Sequence, residues 1–133
     1  MEFLENKICL DTDFLVDFLR KKQDCLEFVA KHENSISLST TRINLFELYY
    51  GAHKTGKLER IAAVDELQQR LWILELSQVS LSDAGKTAAV LEKSGLMIEF
   101  RDILIGCIAK AQGFALKTNN KKHFQRIPGL KVV

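Results

Sequence analysis

The sequence predicts an α/β fold in which a mostly parallel central sheet is flanked by helices, and three observations predict it. Ile8-Cys9-Leu10 and Phe114-Ala115-Leu116 are uninterrupted apolar runs, as strands buried on both faces are. Segments with apolar residues at helical spacing separate such runs. The two kinds alternate along the chain, the pattern of a sheet wrapped by its own connections. The 133 residues suit one domain, 1–133, with enough chain to bury a core.

Taken in order, Ile8-Cys9-Leu10 reads as a buried strand ending at Asp11. Phe14, Leu15, Phe18 and Leu19 then give helical spacing over 13–20, and residues 25–30 continue as a second short helix. Ile36 and Leu38 alternate with serines, which predicts a strand over 35–39. Thr40 or Thr41 can cap the next helix, 43 to about 53, with Gly51 inside its last turns. A polar amphipathic helix follows over 57–70, then a strand over 72–76. Ser80 or Ser82 can cap a helix running to about Ser94 and closed by Gly95. Another helix spans roughly 100–112, stopped by Gly113. A strand over 114–117, the polar turn Thr118-Asn119-Asn120, a short helix over 121–125 and a final strand over 130–133 complete the reading.

Composition sets the outer bounds. Hydrophobic residues make up 47% and charged residues 27%, an ordinary globular balance, with one proline and no low-complexity stretch. The net charge of +2 permits a polyanionic partner without demanding one. No apolar run is long enough to span a bilayer. Met1 to Glu5 carries acid where a secretion signal carries base. Cys9, Cys25 and Cys107 are odd in number, lie within apolar patterns and match no zinc spacing. Buried thiols in a reduced cytoplasm are the expectation.

Chemistry concentrates at the carboxyl ends of the predicted strands, where sites form in such folds. Asp11 ends the first strand, and Asn119 and Asn120 follow the 114–117 strand. Asp102 lies in the first turn of its helix. Glu47 shares a largely apolar helix face with Ile43 and Tyr50. Three carboxylates at one rim repel unless a divalent cation sits among them, and oxygen-only ligation suits Mg2+ or Mn2+. Each acid also has a plainer use. Asp11 and Asp102 can be helix caps or first-turn acids, and Glu47 can pair with Arg42 or Lys54.

Four segments carry a resemblance. Residues Ile8 to Val16, with Asp11, look like the opening strand of PIN domains. Thr41 to Ala52 resembles their second motif, a glutamate before a tyrosine–glycine turn. Ile98 to Ala109 resembles the third, an aspartate followed by an apolar helix, and Leu116 to Phe124 resembles the closing threonine–asparagine motif. The four stand in the family's order and cover essentially the whole chain. The chain therefore resembles PIN-domain ribonucleases of the VapC type, toxins of prokaryotic toxin–antitoxin pairs.

The resemblance implies a PIN-like three-layer fold and a metal-dependent endoribonuclease using Mg2+ or Mn2+. Position by position, Asp11, Glu47 and Asp102 match the three acidic ligands, and Asn120 matches a fourth that is aspartate in many members. A neutral amide there ligates weakly, so a second ion would bind loosely. Asp13 can act through a metal-bound water, or be a plain surface acid or cap, and Glu99 can extend the acidic cluster if its helix starts early. Thr12, Thr118 and Asn119 can hydrogen-bond the carboxylates or the substrate, or be ordinary turn residues. Arg101, Lys121, Lys122 and Arg126 can hold RNA phosphates, or form a solvated basic surface. His123 reads as solvent-facing. Phe46, Tyr49 and Tyr50, at helical spacing, read as core or dimer interface. The resemblance also implies a VapB-like antitoxin whose C-terminal segment wraps the domain, and a homodimer. Two other classes stay open. Asp11-Thr12-Asp13 loosely fits the opening motif of haloacid-dehalogenase phosphatases, and an inactive partner-binding domain is the other.

Overall fold

The computed structural model describes residues 6–133, so the acidic segment Met1 to Glu5 lies outside the described residues. Four strands form one sheet: β1 (Lys7–Leu10), β2 (Ser37–Thr41), β3 (Trp72–Leu74) and β4 (Ala115–Lys117). Their order is β3-β2-β1-β4, and every pairing is parallel. Helices α1 (Thr12–Leu19) and α2 (Gln23–His32) connect β1 to β2. Helices α3 (Arg42–Thr55) and α4 (Leu58–Leu67), with a 3-10 turn at Gln68–Arg70, connect β2 to β3. Helices α5 (Gln78–Lys93) and α6 (Phe100–Ala111) lead to β4, and α7 (Lys121–Phe124) follows it.

Alternation along β1 divides the interior into two cores. Ile8 and Leu10 face one side, with Phe14, Leu15, Leu45 and Leu48 from α1 and α3. Cys9 faces the other, with Ile103, Ile105 and Ile108 from α6. This is the three-layer arrangement expected from the sequence. β2 carries serine and threonine where a hydrophobe would be usual, and Ser39, Thr40 and Thr41 are fully buried. Burial is tolerated because the Ser39 and Thr40 hydroxyls donate to the carbonyls of Ile8 (3.2 Å) and Leu10 (2.9 Å).

Element ends differ from the sequence reading in a few places. Helix α5 starts at Gln78, and Ser77, not Ser80 or Ser82, is its cap. Ser80 is the third helical residue, and its hydroxyl accepts from the Ser77 amide at 2.8 Å, a reciprocal capping box. A serine-rich start offers several candidate caps, and only backbone geometry selects one. β3 stops at Leu74 rather than at residue 76. The expected final strand is reduced to one bridge, Val132 beside Leu116. Gly95 and Gly113 take positive φ (70° and 78°) just after α5 and α6, the left-handed conformation that ends a helix there. The three cysteines are buried and free. No helix among the described residues is long and apolar enough to cross a membrane.

Strand order fixes where polar groups can meet. From β1 the chain passes outward to β2 and β3, then returns on the other side as β4. Direction therefore reverses between β1 and β4, and the crevice of such a sheet opens there, beyond the carboxyl ends of the strands.

Candidate active site

Asp11 and the 118–120 turn stand on either side of that crevice. The Asp11 amide donates to the Lys117 carbonyl at 3.0 Å, which carries the β1–β4 ladder one residue past the strand. Asp11 occupies the cap position of α1, yet its side chain caps nothing. Its carboxylate accepts instead from Asn44 Nδ2 on Oδ1 (3.1 Å) and from Thr118 Oγ1 on Oδ2 (2.7 Å). It is 7% exposed. Burial pushes its pKa up, and the Thr118, Thr12 and Asn44 donors draw it back.

Asn44 is the residue that sequence reasoning missed. It is fully buried, and its side chain bonds in every direction it can. Its amide NH2 donates to Asp11 and to Thr12 Oγ1 (2.9 Å). Its oxygen accepts from the amide (3.2 Å) and hydroxyl (2.7 Å) of Thr41, which caps α3. Thr12 passes the chain on, its hydroxyl donating to Glu47 Oε1 at 2.5 Å. One amide thus ties the start of α3 to two of the three acids. The available signal was its spacing: Asn44 lies three residues after a threonine cap and three before Glu47, on the same helix face.

Glu47 pairs with neither Arg42 nor Lys54. Arg42 binds Glu75, and Lys54 lies over the Tyr50 ring. Glu47 Oε2 instead meets Arg101 Nη1 at 3.3 Å, and Arg101 Nη2 meets Glu99 Oε1, also at 3.3 Å. Asp102 lies in the first turn of α6, and no side-chain hydrogen bond or ion pair reaches it among the described residues. Its pKa rises to about 6, first through burial, then through the charges of Asp11, Glu47 and Glu99, with His123 opposing. The three acids therefore share one electrostatic neighbourhood.

The remaining expected residues fall around them. Asn120 donates its amide N–H to Thr118 Oγ1 (3.0 Å), one bond from Asp11, while its side chain meets His123 Nδ1 at 3.0 Å. Asp13 accepts the Asn119 amide (3.1 Å) and that of Phe14 (2.7 Å), which braces the 118–120 turn against α1. Burial and then the nearby Asp11 raise its pKa. Glu99 is an exposed cap residue partnered by Arg101. Lys121, Lys122 and His123 stand exposed on α7. Arg126 differs: it donates to the carbonyls of Leu96 (3.1 Å) and Met97 (3.5 Å), tying the end of α7 to the loop before α6. Of the three aromatics read as core or interface, Tyr49 packs on the core, while Phe46 and Tyr50 stack on each other in the open.

The donor set suits a hard divalent cation: all three donors are carboxylates, and the charges of Asp11 and Glu47 act on a half-buried Asp102 that is pressed toward its protonated form. As the side chains stand, no three acidic, histidine or cysteine groups among the described residues close on a common point. Glu47 is turned toward Arg101, so closure requires it to change partner.

The chain is similar to known proteins over nearly its whole length. A family profile described as PIN domain matches residues 8–130. The chain is similar to Ribonuclease VapC2 of Haemophilus influenzae, 32% identical over 127 residues, covering 94% of this chain and 95% of that one. It is 38% identical to Ribonuclease VapC2 of Rickettsia felis over 126 residues, covering 91% and 92%. Its fold is similar to a chain in the crystal structure of VapBC2 from Rickettsia felis bound to a DNA fragment from their promoter, with a TM-score of 0.87, 30% identity and 95% and 96% coverage. The chain belongs to the PIN-domain family.

Proposed function

We propose that this PIN-domain chain is an Mg2+- or Mn2+-dependent endoribonuclease, the toxin of a VapBC-type pair, acting on RNA in the cytoplasm. The observation that carries this reading is the placement of Asp11, Glu47 and Asp102 around the sheet's crevice, where burial first and then the charges of its neighbours lift Asp102 to about 6. Its relatives are ribonucleases by name, and VapBC complexes share its fold, which supports both the activity and an antitoxin partner. The phosphatase alternative is not favoured. It needs Asp11 as a free nucleophile, whereas both Asp11 oxygens are hydrogen-bonded and the side chain is nearly enclosed.

Asp11, Glu47 and Asp102 would hold the cation, with the Asn120 amide oxygen as a fourth, weaker donor. A cation held there would supply Lewis-acid chemistry, lowering the pKa of water and offsetting charge on the phosphate. The chain's own residues do the rest. Asn44, Thr12 and Thr118 hold Asp11 and one oxygen of Glu47 in place, which leaves Glu47 Oε2 as the oxygen that changes partner when a cation binds. Lys121 and Lys122 present positive charge beside Asn120, where RNA phosphates can be held. Hydrolysis adds water across one P–O bond, and the leaving oxygen takes up the proton.

The purified protein should cleave RNA with Mn2+ and stop in EDTA, and Asp11→Asn should lower the rate by at least about a hundredfold. Sequencing of RNA ends, after incubation with each protein, reads both the activity and its target. Full activity in EDTA would remove the metal from the mechanism, and full activity of Asp11→Asn would remove the site.

A further inference from the structure

Among the described residues, Arg101 is the one lysine or arginine ion-paired with any of the three rim acids, and its partner is Glu47. Its guanidinium spans two carboxylates, Glu47 on one side and Glu99 on the other, each at 3.3 Å. The Glu47 end is the informative one. Thr12 holds Oε1 at 2.5 Å, so Oε2 is the oxygen with a replaceable partner, and Arg101 has it. The guanidinium is therefore ion-paired with the Glu47 oxygen that no hydrogen bond holds, and a cation drawn to Asp11, Glu47 and Asp102 would compete with it there.

We infer that Arg101 is an exchange cation: it holds Glu47 in the metal-free protein, yields it to the divalent ion, and then takes an RNA phosphate. The inference rests on the metal-dependent ribonuclease reading. Three physical points carry it. Arg101 cannot leave by losing its proton, since a guanidinium stays charged, so it must move when a second cation arrives. Its side chain is half exposed, and an ion pair in that setting is weak enough to exchange. Its planar fork matches two phosphate oxygens as well as it matches carboxylates. Glu99, exposed at the cap of α6, keeps the freed side chain tethered at the mouth of the site. Metal and substrate binding would then be coupled through one side chain, which leaves the acids as the phosphate arrives.

The test depends on two effects of opposite sign. Calorimetry with MnCl2 on the metal-free parent and Arg101→Gln should show the variant binding the ion about two- to fivefold more tightly, because a competing cation is gone. Stopped-flow anisotropy with a labelled single-stranded RNA, read before cleavage in saturating MnCl2, should show the variant binding more weakly. The slope of log affinity against log salt should fall by about 0.7, the signature of one lost phosphate contact. Without metal, the two proteins should bind RNA alike. Arg101→Lys, which keeps the charge, should stay near the parent in the metal titration. A parent that binds no Mn2+ would overturn the ribonuclease reading itself. If the parent binds and Arg101→Gln binds equally well, the exchange is wrong while that reading stands. Tighter metal binding with unchanged RNA affinity would overturn the handover to phosphate. Weaker binding of both ligands would make Arg101 a structural brace and overturn the inference.

Discussion

The two walls of the crevice hold their acids by different means. On the β1–α3 wall, Asp11 and Glu47 are woven into hydrogen bonds from Asn44, Thr12 and Thr118. On the α6 wall, Asp102 has neighbours in charge but, among the described residues, no side-chain donor, and Arg101 and Glu99 beside it are exposed. Both Asp11 and Asp102 are pushed up by burial. Donors draw Asp11 back, whereas Asp102 is raised further by three anions. Hydrogen bonds to a carboxylate fix both its direction and its charge. Surrounding anions leave it waiting for a proton or a cation. One wall is thus a scaffold, and the other is responsive.

Substitution on each wall should therefore move stability in opposite directions. Asp102→Asn should give the largest loss of activity, at least about a hundredfold. In EDTA it should nonetheless melt higher than the parent above pH 6, by roughly 2 to 5 °C. The sign follows from its folded pKa of about 6, above the ordinary 3.8. Between those values the folded protein binds the extra proton, so parent stability falls as pH rises from about 4 to about 6 and then levels. Asparagine carries no such charge and should remove that fall. Melting scans from pH 4 to 8 check it, and a variant that melts lower at pH 7.5 would make Asp102 a structural cap.

Asn44→Leu tests the other wall. It leaves the backbone donor of Thr41 and an oxygen of Asp11 without partners, so melting should fall, with a cost of about 2 to 4 kcal/mol. Mn2+ affinity should drop about ten- to a hundredfold although no proposed ligand has been removed. Calorimetry on protein shown to be folded reads both effects. Unchanged metal binding would reduce Asn44 to a helix cap.

The smallest effect expected is at Asn120, between the walls. Asn120→Asp adds a carboxylate where the amide now meets His123. It should lower the Mn2+ concentration for half-maximal cleavage a fewfold and leave the tightest site little changed, since charge count governs affinity for hard cations. Superimposable metal curves would turn Asn120 away from the ions.

The scaffold wall was less legible in the sequence than the acids it holds. Asp11, Glu47 and Asp102 could be nominated because strands end and helices begin where a buried charge is costly. Asn44 could not, because its importance lies in partners 32 and 33 residues away. The alternation of strands and helices was readable from apolar runs, and so were the stops at Gly95 and Gly113, which depend on backbone freedom at one residue. Ser77 was missed as the cap of α5 because three nearby serines offer equal chemistry. The last strand shrinks to one bridge because Leu130 to Val133 has a strand's composition but meets only the edge of β4, through Val132. Arg101 could be placed near Asp102 by number alone, yet its grip on Glu47 joins α3 to α6 and is a property of the fold.

The hydrogen bond from Thr118 to Asp11 spans 107 positions of the chain. β4, which sets that threonine in place, follows the other three strands in the chain and lies directly against the first. A growing chain holding β1 to α6 already contains Asp11, Glu47 and Asp102, but lacks the strand that forms one wall of the crevice. Closing a contact of that separation must wait for the distant segment to exist. Assembly of the crevice is thereby a late event: until β4 docks against β1, the three acids are present without the wall that Thr118 completes.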